Sequence, residues 1–272
     1  MAEESLSVVT VCRNAAGSIR RAIESVLTQN YPHLDYTVID GASSDGTLAI
    51  LREYEGQLQL ISEPDEGYSD AVNKGIRATS GKWIHLLNSD DYYPDRSTLS
   101  RVMMELSPEA LNYCRLLRTW PNGTAKPLPF RYERRWLVRN RKAPFWITSA
   151  MLHPTMIISR QQYAKAGLYD PCWTYSSDID LILRLLDHYP LRYIPITLVH
   201  VQQGGMSQRE RELTANEFAQ ITIERGLPPL LAWAVYYAKL YSVWPLLDLT
   251  DRMRRRSLVG AKCDADTSSN PL

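Results

Sequence analysis

The chain lacks most of the signatures that assign a function at a glance. It has 272 residues and a net charge of only +1, so no global excess of positive charge argues for nucleic acid as a partner. Its four cysteines, Cys12, Cys114, Cys172 and Cys263, are scattered with no Cys-x-x-Cys pair. That spacing argues against a zinc knuckle or a disulfide framework and suits a reducing cytoplasm. No Gly-x-Gly-x-x-Gly follows the first apolar run, and there is no Walker lysine loop, so the nicotinamide-type fingerprint and the P-loop are both missing. The N-terminus, Met-Ala-Glu-Glu-Ser, is acidic and runs straight into a strand pattern, so no secretory signal is read there. No internal repeat stands out. The apolar, aromatic-rich segment Leu227 to Leu247 is broken by Pro228, Pro229, Lys239 and Pro245, which makes it a poor spanning helix.

What remains is a globular composition, 44% hydrophobic and 22% charged, long enough for one large domain or two intimate ones. Leu6 to Val11 is a β-branched run, a buried strand by pattern. Ile19, Ile23, Val26 and Leu27 recur at helical spacing with Ser18 placed to cap. Tyr36 to Ile39 predicts a second strand. Ser43 or Ser44 can cap a second helix carrying Leu48, Leu51 and Tyr54. A third strand over Leu58 to Ile61, a helix over Tyr68 to Thr79 and a fourth strand over Lys82 to Leu87 follow. Such alternation builds a mostly parallel sheet covered on both faces, an α/β fold. After about Leu106 it stops, and residues 107 to 150 read as a long irregular excursion of the kind that carries specificity or forms a lid. Thr155 to Ile158 and Leu191 to Leu198 add strand candidates. Ile179, Ile182, Leu183 and Leu186 mark a short helix with Asp178 at its start.

Ligands on such sheets bind outside the carboxyl ends of the strands. Thr10 to Asn14 follow the first strand, Asp40 the second, and Asn88-Ser89-Asp90-Asp91 the fourth. Alone, Asn-Ser-Asp-Asp is ordinary turn chemistry. Together with the other two clusters, the carboxylate pair becomes a candidate ligand set for Mn²⁺ or Mg²⁺, hard cations that need only one or two carboxylates when a diphosphate supplies the rest.

Five blocks in order carry a family resemblance: Ser7 to Asn14, Ser25 to Pro32, Val38 to Thr47 (Val-Ile-Asp-Gly-Ala-Ser-Ser-Asp-Gly-Thr), Glu63 to Gly75, and Leu87 to Asp91. The chain resembles the family 2 glycosyltransferases, inverting enzymes of the GT-A fold that use nucleotide-sugar donors, over roughly residues 5 to 210. The resemblance implies a Rossmann-like central sheet with helices on both faces. It places Asp40 on the nucleobase, with Thr10, Val11 and Asn14 lining the same pocket. Asn73, Lys74, Asp70 and Asn88 join the donor contacts, Asp90 meets the ribose, and Asp91 ligates the metal. Asp178, in Tyr175-Ser176-Ser177-Asp178-Ile179-Asp180, takes the position of the general base, where the family often has Glu in place of Ser177. The same residues have plainer readings: Asp40 as a turn aspartate, Lys74 as an exposed helix lysine, Asp70 as a first-turn polar residue, Asp178 as an N-cap. His153 sits near the acceptor side, where it orients the donor sugar or the loop. His200 is a metal-ligand candidate or a structural histidine, and Gly204-Gly205 with Ser207 reads as a lid.

The expected division is a nucleotide-sugar-binding half over 1–105, an acceptor-binding and catalytic-base half over 106–225, and an amphipathic, basic C-terminal extension over 226–272. Arg131 to Lys142 carries six basic residues against one acid, and Arg252 to Arg256 holds four arginines. The resemblance, with a basic, aromatic C-terminus, implies a lipid-linked glycan acceptor in bacterial polysaccharide assembly, with peripheral attachment at the inner membrane face through Leu230 to Arg256; a helix packed on the body with a solvated basic tail is the alternative. Two rival functions remain: a nucleotidyltransferase, disfavoured by the glycine-poor Arg13-Asn14-Ala15-Ala16-Gly17, and a non-catalytic nucleotide-binding relative or membrane-surface scaffold.

Overall fold

The computed structural model describes residues 4–119, 125–127, 153–202 and 210–238. Arg131 to Lys142, the Gly204-Gly205 lid, Arg252 to Arg256 and most of the 107–150 excursion lie outside the described residues. The chain divides into two compact units, Met1–Gly205 and Met206–Leu272.

The first unit opens with alternating elements: β1 (Leu6–Cys12), α1 (Ile19–Leu27), β2 (Leu34–Asp40), α2 (Thr47–Arg52), β3 (Gln59–Ser62), α3 (Tyr68–Ala78) and β4 (Trp83–Leu86). Then come α4 (Thr98–Met103), β5 (Leu111–Thr119), β6 (Ala125–Pro127), a 3₁₀ turn at His153–Thr155, β7 (Met156–Ser159), α5 (Arg160–Ala166), α6 (Ser177–Leu186) and β8 (Leu191–Gln202). One eight-stranded sheet runs β3-β2-β1-β4-β7-β5-β6, with β8 paired to β5. The pairs β1–β2, β1–β4, β2–β3 and β5–β8 are parallel. β7 lies antiparallel between β4 and β5.

Strand periodicity sorts the core onto two faces. Val8 and Trp83 join Ile19, Ile23 and Val26 of α1, Leu51 of α2, and Leu99 and Val102 of α4 on one side. Val9 and Ile84 join Val72 and Ile76 of α3, and Leu181, Ile182 and Leu185 of α6, on the other. α3 comes unusually close to the sheet because residue 75 is glycine. A Cβ there would overlap Val9 Cγ1 and stand 3.3 Å from Ile39 Cγ1.

Two capping expectations change. Ser18 occupies the N-cap of α1, but its hydroxyl donates back to the Ala15 carbonyl at 3.4 Å. α2 starts at Thr47 behind Gly46, later than Ser43 or Ser44 would place it, and Asp45 accepts the Thr47 N–H at 2.9 Å. The serines are engaged in the loop instead: Ser43 with Asp40 and Asn14, Ser44 with Asn14.

The second unit holds α7 (Arg211–Glu224) and α8 (Pro229–Ala238). These helices pack on one another, so α7 falls with the C-terminal unit although composition alone groups it with the preceding segment. On α8, Leu230 is 86% exposed, and Leu231, Trp233 and Tyr237 are exposed as well. Among the described residues no helix is long and apolar enough to cross a membrane.

Candidate active site

The strand order places β2 and β3 on one side of β1 and β4 on the other. The carboxyl ends of β1 and β4 therefore flank a topological switch point, where α/β sheets open a crevice. Asn88 to Asp91 leave β4 into it. Because β7 runs antiparallel to β4, its start lies at the same end, and the register Trp83↔Ser159, His85↔Ile157 carried onward brings His153 and Pro154 opposite Asn88. α6 delivers Asp178 in its first turn.

These residues form one connected chain. Asn88 Nδ2 donates to Asp91 Oδ2 at 2.9 Å. Asn88 Oδ1 lies 3.2 Å from His153 Nε2, which also meets the Tyr68 hydroxyl at 2.9 Å. On the other side of the ring, His153 Nδ1 is 3.5 Å from Asp178 Oδ2. Tyr68, the first residue of α3, was not singled out from sequence. Desolvation and then the charge of Asp178, with Tyr163, Asp91 and Asp90 adding to it, push its phenol well above its usual range, so it keeps a proton to donate.

Asp91 is 1% exposed. Burial first, and the neighbouring charge of Asp90 second, push its carboxyl well above the usual range. Its Oδ1 is buried without a hydrogen-bond partner. Such an oxygen is expensive to leave bare and suits a divalent cation. Among the described residues no three His, Cys, Asp or Glu side chains are arranged to hold a metal by themselves. The fit is therefore to Mg²⁺ or Mn²⁺ completed by ligand phosphates and water, for which so few protein oxygens suffice.

His200 is placed beside the site, next to the residue that follows Asp91. Its backbone pairs with Tyr92 in an antiparallel bridge and its ring stacks on Tyr92, with centroids 4.7 Å apart and planes at 11°. Burial, then the charge of Arg21, lowers its pKa. Arg21, another residue that sequence reasoning passed over, lies over Tyr92 at 4.2 Å and donates to the Asp90 carbonyl at 3.3 Å. Its exposed position on α1 gave no pattern to read; only the fold brings it to the site.

The expected base pocket is rearranged. Asp40 is fully buried, and Ser43, Ser62 and Cys12 take up its carboxylate. These partners fix the carboxylate of Asp40 at the end of β2, beneath the loop where a nucleobase is expected. Asp65, half-buried on the loop between β3 and α3, lies against Gly41, where any Cβ would collide with its carboxylate. Thr10 also points inward, accepting from Tyr36 O–H at 3.1 Å, while Val11 packs partly buried against the α3 side of the core. Asn14 is exposed with φ 54° and holds Ser44 N–H at 2.9 Å. Asn73 is committed elsewhere: it donates to the Tyr169 carbonyl at 2.8 Å and accepts from the Tyr169 N–H at 3.0 Å, locking α3 to the approach of α6. Lys74 pairs with Asp70 at 3.1 Å and Glu63 at 3.0 Å and donates to the Pro64 carbonyl, so Lys74 and Asp70 order the 63–66 loop. Asp180 binds Arg184 at 2.8 Å, and Arg184 in turn holds the Leu168 carbonyl.

Comparison with known proteins agrees with this geometry. A family model described as Glycosyl transferase family 2 matches residues 7–167. An uncharacterised glycosyltransferase of Mycobacterium tuberculosis, Rv1514c, is 28% identical over 191 residues, covering 66% of this chain and 68% of that protein. TuaG of Bacillus subtilis, provisionally named a teichuronic acid biosynthesis glycosyltransferase, is 36% identical over 90 residues, covering 32% of this chain and 36% of its own. Among solved structures, residues 1–349 of S. aureus TarS in complex with UDP superpose with TM-score 0.60 at 14% identity, covering 88% of this chain and 72% of that one. The mannosyltransferase PcManGT of Pyrobaculum calidifontis, in complex with GDP-Man and Mn²⁺, gives 0.61 at 18% identity, covering 100% and 77%. At such identities the superpositions show the shared GT-A fold.

Proposed function

The chain belongs to glycosyl transferase family 2 and is a glycosyltransferase; we propose that it moves a sugar from a UDP-sugar to a hydroxyl acceptor by a single displacement with inversion. The observation that carries this reading is the chain Asp178–His153–Asn88–Asp91, which sets a carboxylate for the acceptor and a carboxylate for the donor across one crevice. Asp178 accepts the proton of the acceptor hydroxyl as its oxygen bonds to the anomeric carbon. The bond from that carbon to the diphosphate oxygen breaks, and its electron pair leaves with the nucleoside diphosphate. Asp91 would hold Mn²⁺ or Mg²⁺, which would supply Lewis-acid stabilisation of that leaving charge. Asp90 and Asn88 border the donor, and the loops carrying Asp40 and Asp65 meet at Gly41, where the base would enter.

The acceptor in this reading is a lipid-linked glycan of surface-polysaccharide assembly. TuaG's name supports the pathway class, and the exposed Leu230, Leu231, Trp233 and Tyr237 support contact with a membrane surface on the cytoplasmic side. The 1–105 and 106–225 division into donor and acceptor halves belongs to the same proposal, because Asp91 and Asp178 fall on either side of it.

The test is release of nucleoside diphosphate from a panel of UDP-glucose, UDP-galactose, UDP-GlcNAc and GDP-mannose, with Mn²⁺ or with EDTA. Metal-dependent release from a UDP-sugar, lost in Asp91→Asn and reduced about 10²-fold or more in Asp178→Asn, is expected. Proton NMR of the product should show the inverted anomer. A folded chain that releases nothing from any donor, or one whose Asp178→Asn variant keeps full turnover, refutes the mechanism.

A further inference from the structure

His153 has no part in the displacement as written, yet it touches both halves of the crevice, Asn88 on one side and Asp178 on the other. It stands on the 3₁₀ turn before β7, half-buried beside Tyr68, with ring centroids 5.8 Å apart. The turn itself is pinned from beneath. His85, fully buried in β4, lies with Nε2 2.9 Å from the Pro154 carbonyl. The imidazole is thus held through its backbone as well as at its own Nε2.

The partners around the ring are ordered. Asn88 turns its Nδ2 to Asp91, so its Oδ1 faces His153 as an acceptor. The Tyr68 hydroxyl, 2.9 Å from Nε2, is the nearest donor to that nitrogen. Nε2 has both a donor, the Tyr68 O–H, and an acceptor, Asn88 Oδ1, within reach, and the Tyr68 O–H lies 3.5 Å from that same oxygen; the tautomer in which Tyr68 donates to Nε2 places the ring proton on Nδ1, aimed at Asp178 Oδ2. The bond a histidine makes at one nitrogen fixes the tautomer presented at the other. Asp178 is meanwhile held at Oδ1 by the Ile179 N–H at 2.9 Å, which leaves Oδ2 as the oxygen His153 steers. The 3.5 Å separation is long for a hydrogen bond, as catalytic contacts often are before substrate binds.

We propose that His153 is the positioning residue of the catalytic base: Tyr68 orients its ring, and Nδ1–H orients Asp178 toward the acceptor hydroxyl. This rests on the assignment of Asp178 as base made above. His153 then acts through Asp178 and not through the donor half, because Asn88 keeps its bond to Asp91 when the imidazole is removed. Tyr68 acts one step further back, through His153.

A double-mutant cycle tests this, with turnover read on whichever panel sugar the wild-type chain uses fastest and with calorimetric titration of UDP in Mn²⁺ as a readout independent of activity. His153→Ala should lower kcat by about 10²-fold. Donor KM and UDP–Mn²⁺ affinity should stay within about twofold of wild type. In the Asp178→Asn background the same substitution should cost little more, since residues acting as one unit are not additive. His153→Asn, which keeps an amide donor near the Nδ1 position, should recover part of the loss. Tyr68→Phe should lower kcat less than His153→Ala and add nothing to it. Multiplying losses in the His153/Asp178 pair, or a fall in UDP–Mn²⁺ affinity that matches the fall in kcat, overturns the proposal while leaving the glycosyltransferase mechanism standing. If His153→Ala does not fold, the Tyr68→Phe/Asp178→Asn cycle decides the matter by the same criterion. An Asp178→Asn variant that keeps wild-type turnover overturns the assignment of the base, and this proposal with it.

Discussion

Lowering the pH from 7 to 5 should weaken this fold through the buried side chain of His85. The residue sits in β4 with no exposed surface. Its Nε2 faces the Pro154 carbonyl at 2.9 Å, which can only accept, so that nitrogen carries the proton. Its Nδ1 is 2.6 Å from the Tyr93 hydroxyl, which then donates to it. Both nitrogens are satisfied in the neutral ring, and protonating Nδ1 would turn that second bond against itself. Burial above all, with the Pro154 carbonyl opposing it and the nearby His153 adding to it, pulls the pKa down from 6.5 to about 4. Tyr93, Pro154 and His153 are the groups that face the ring from the neighbouring segments.

The sign follows from proton counting. Between about 4 and 6.5 the unfolded chain binds a proton at His85 that the native chain refuses, so stability falls as pH drops through that window and levels off below it. In full this is worth about 3 kcal/mol, of which about 2 kcal/mol is already lost at pH 5. Other groups titrate in the same range, so the quantity to measure is the difference between wild type and His85→Gln in urea unfolding at pH 7 and pH 5. The glutamine can contact the same two partners but does not titrate. The difference should move toward the variant by about 2 kcal/mol on acidification. A change below about 0.5 kcal/mol, within ordinary additivity error, would refute the argument. Charging the ring disturbs the Tyr93 side alone, since the Nε2–H bond to the Pro154 carbonyl is kept in either state.

Three further outcomes are expected. Gly75→Ala should cost about 1–3 kcal/mol by overpacking, since the added methyl meets Val9 in the middle of β1; an unchanged urea midpoint would show that α3 can back away from the sheet. Arg160→Met should cost about 2–3 kcal/mol, because its guanidinium donates to the Thr79 carbonyl at 2.7 Å, Gly81 at 3.1 Å and Ile76 at 3.3 Å at the end of α3; a loss below about 0.5 kcal/mol would mean water replaces it freely. Asp91→Asn should raise stability by about 1–3 kcal/mol in EDTA at pH 8 while abolishing Mn²⁺-dependent UDP binding. The raised carboxyl of Asp91 makes the metal-free chain lose stability as pH rises above the usual carboxylate range, so the gain should fade toward pH 4. A variant less stable than wild type at pH 8 would contradict it.

The alternation of residues 6 to 86 is legible because every element there is short, regular and local. Leu-Ser-Val-Val-Thr-Val-Cys is a β-branched run and Ile19, Ile23 and Val26 a helical stripe, and neither depends on what lies beyond it. The direction of β7 is not legible in that way. Met-Ile-Ile-Ser reads alike whether it runs with β4 or against it, yet direction decides whether His153 arrives beside Asn88 or at the opposite edge of the sheet. Tyr68 and Arg21 are hidden for the same reason. One is the first residue of a helix and the other an exposed position on another helix, and only the assembled sheet points them at the crevice.

Carboxylates show the deeper limit of reading chemistry from residue type. Five aspartates at strand and helix ends read alike in sequence; their surroundings in the fold separate them. Asp40 is engaged by two serines and a thiol and braces its loop, while Asp65 packs against Gly41, which admits it by having no side chain. Asp180 is spent on Arg184, one turn along the helix from its own position, while Asp178 keeps an oxygen turned toward His153. Asp91 is the most buried of the catalytic candidates and keeps one bare oxygen. A carboxylate that has found its partners is part of the scaffold. One that is desolvated and still short of a partner stores unfavourable free energy that a cation can relieve. In this crevice that criterion singles out Asp91 on the donor side, and it is why the acceptor side needs His153: Asp178 has no such deficit to hold it in place, so its orientation has to come from a neighbour.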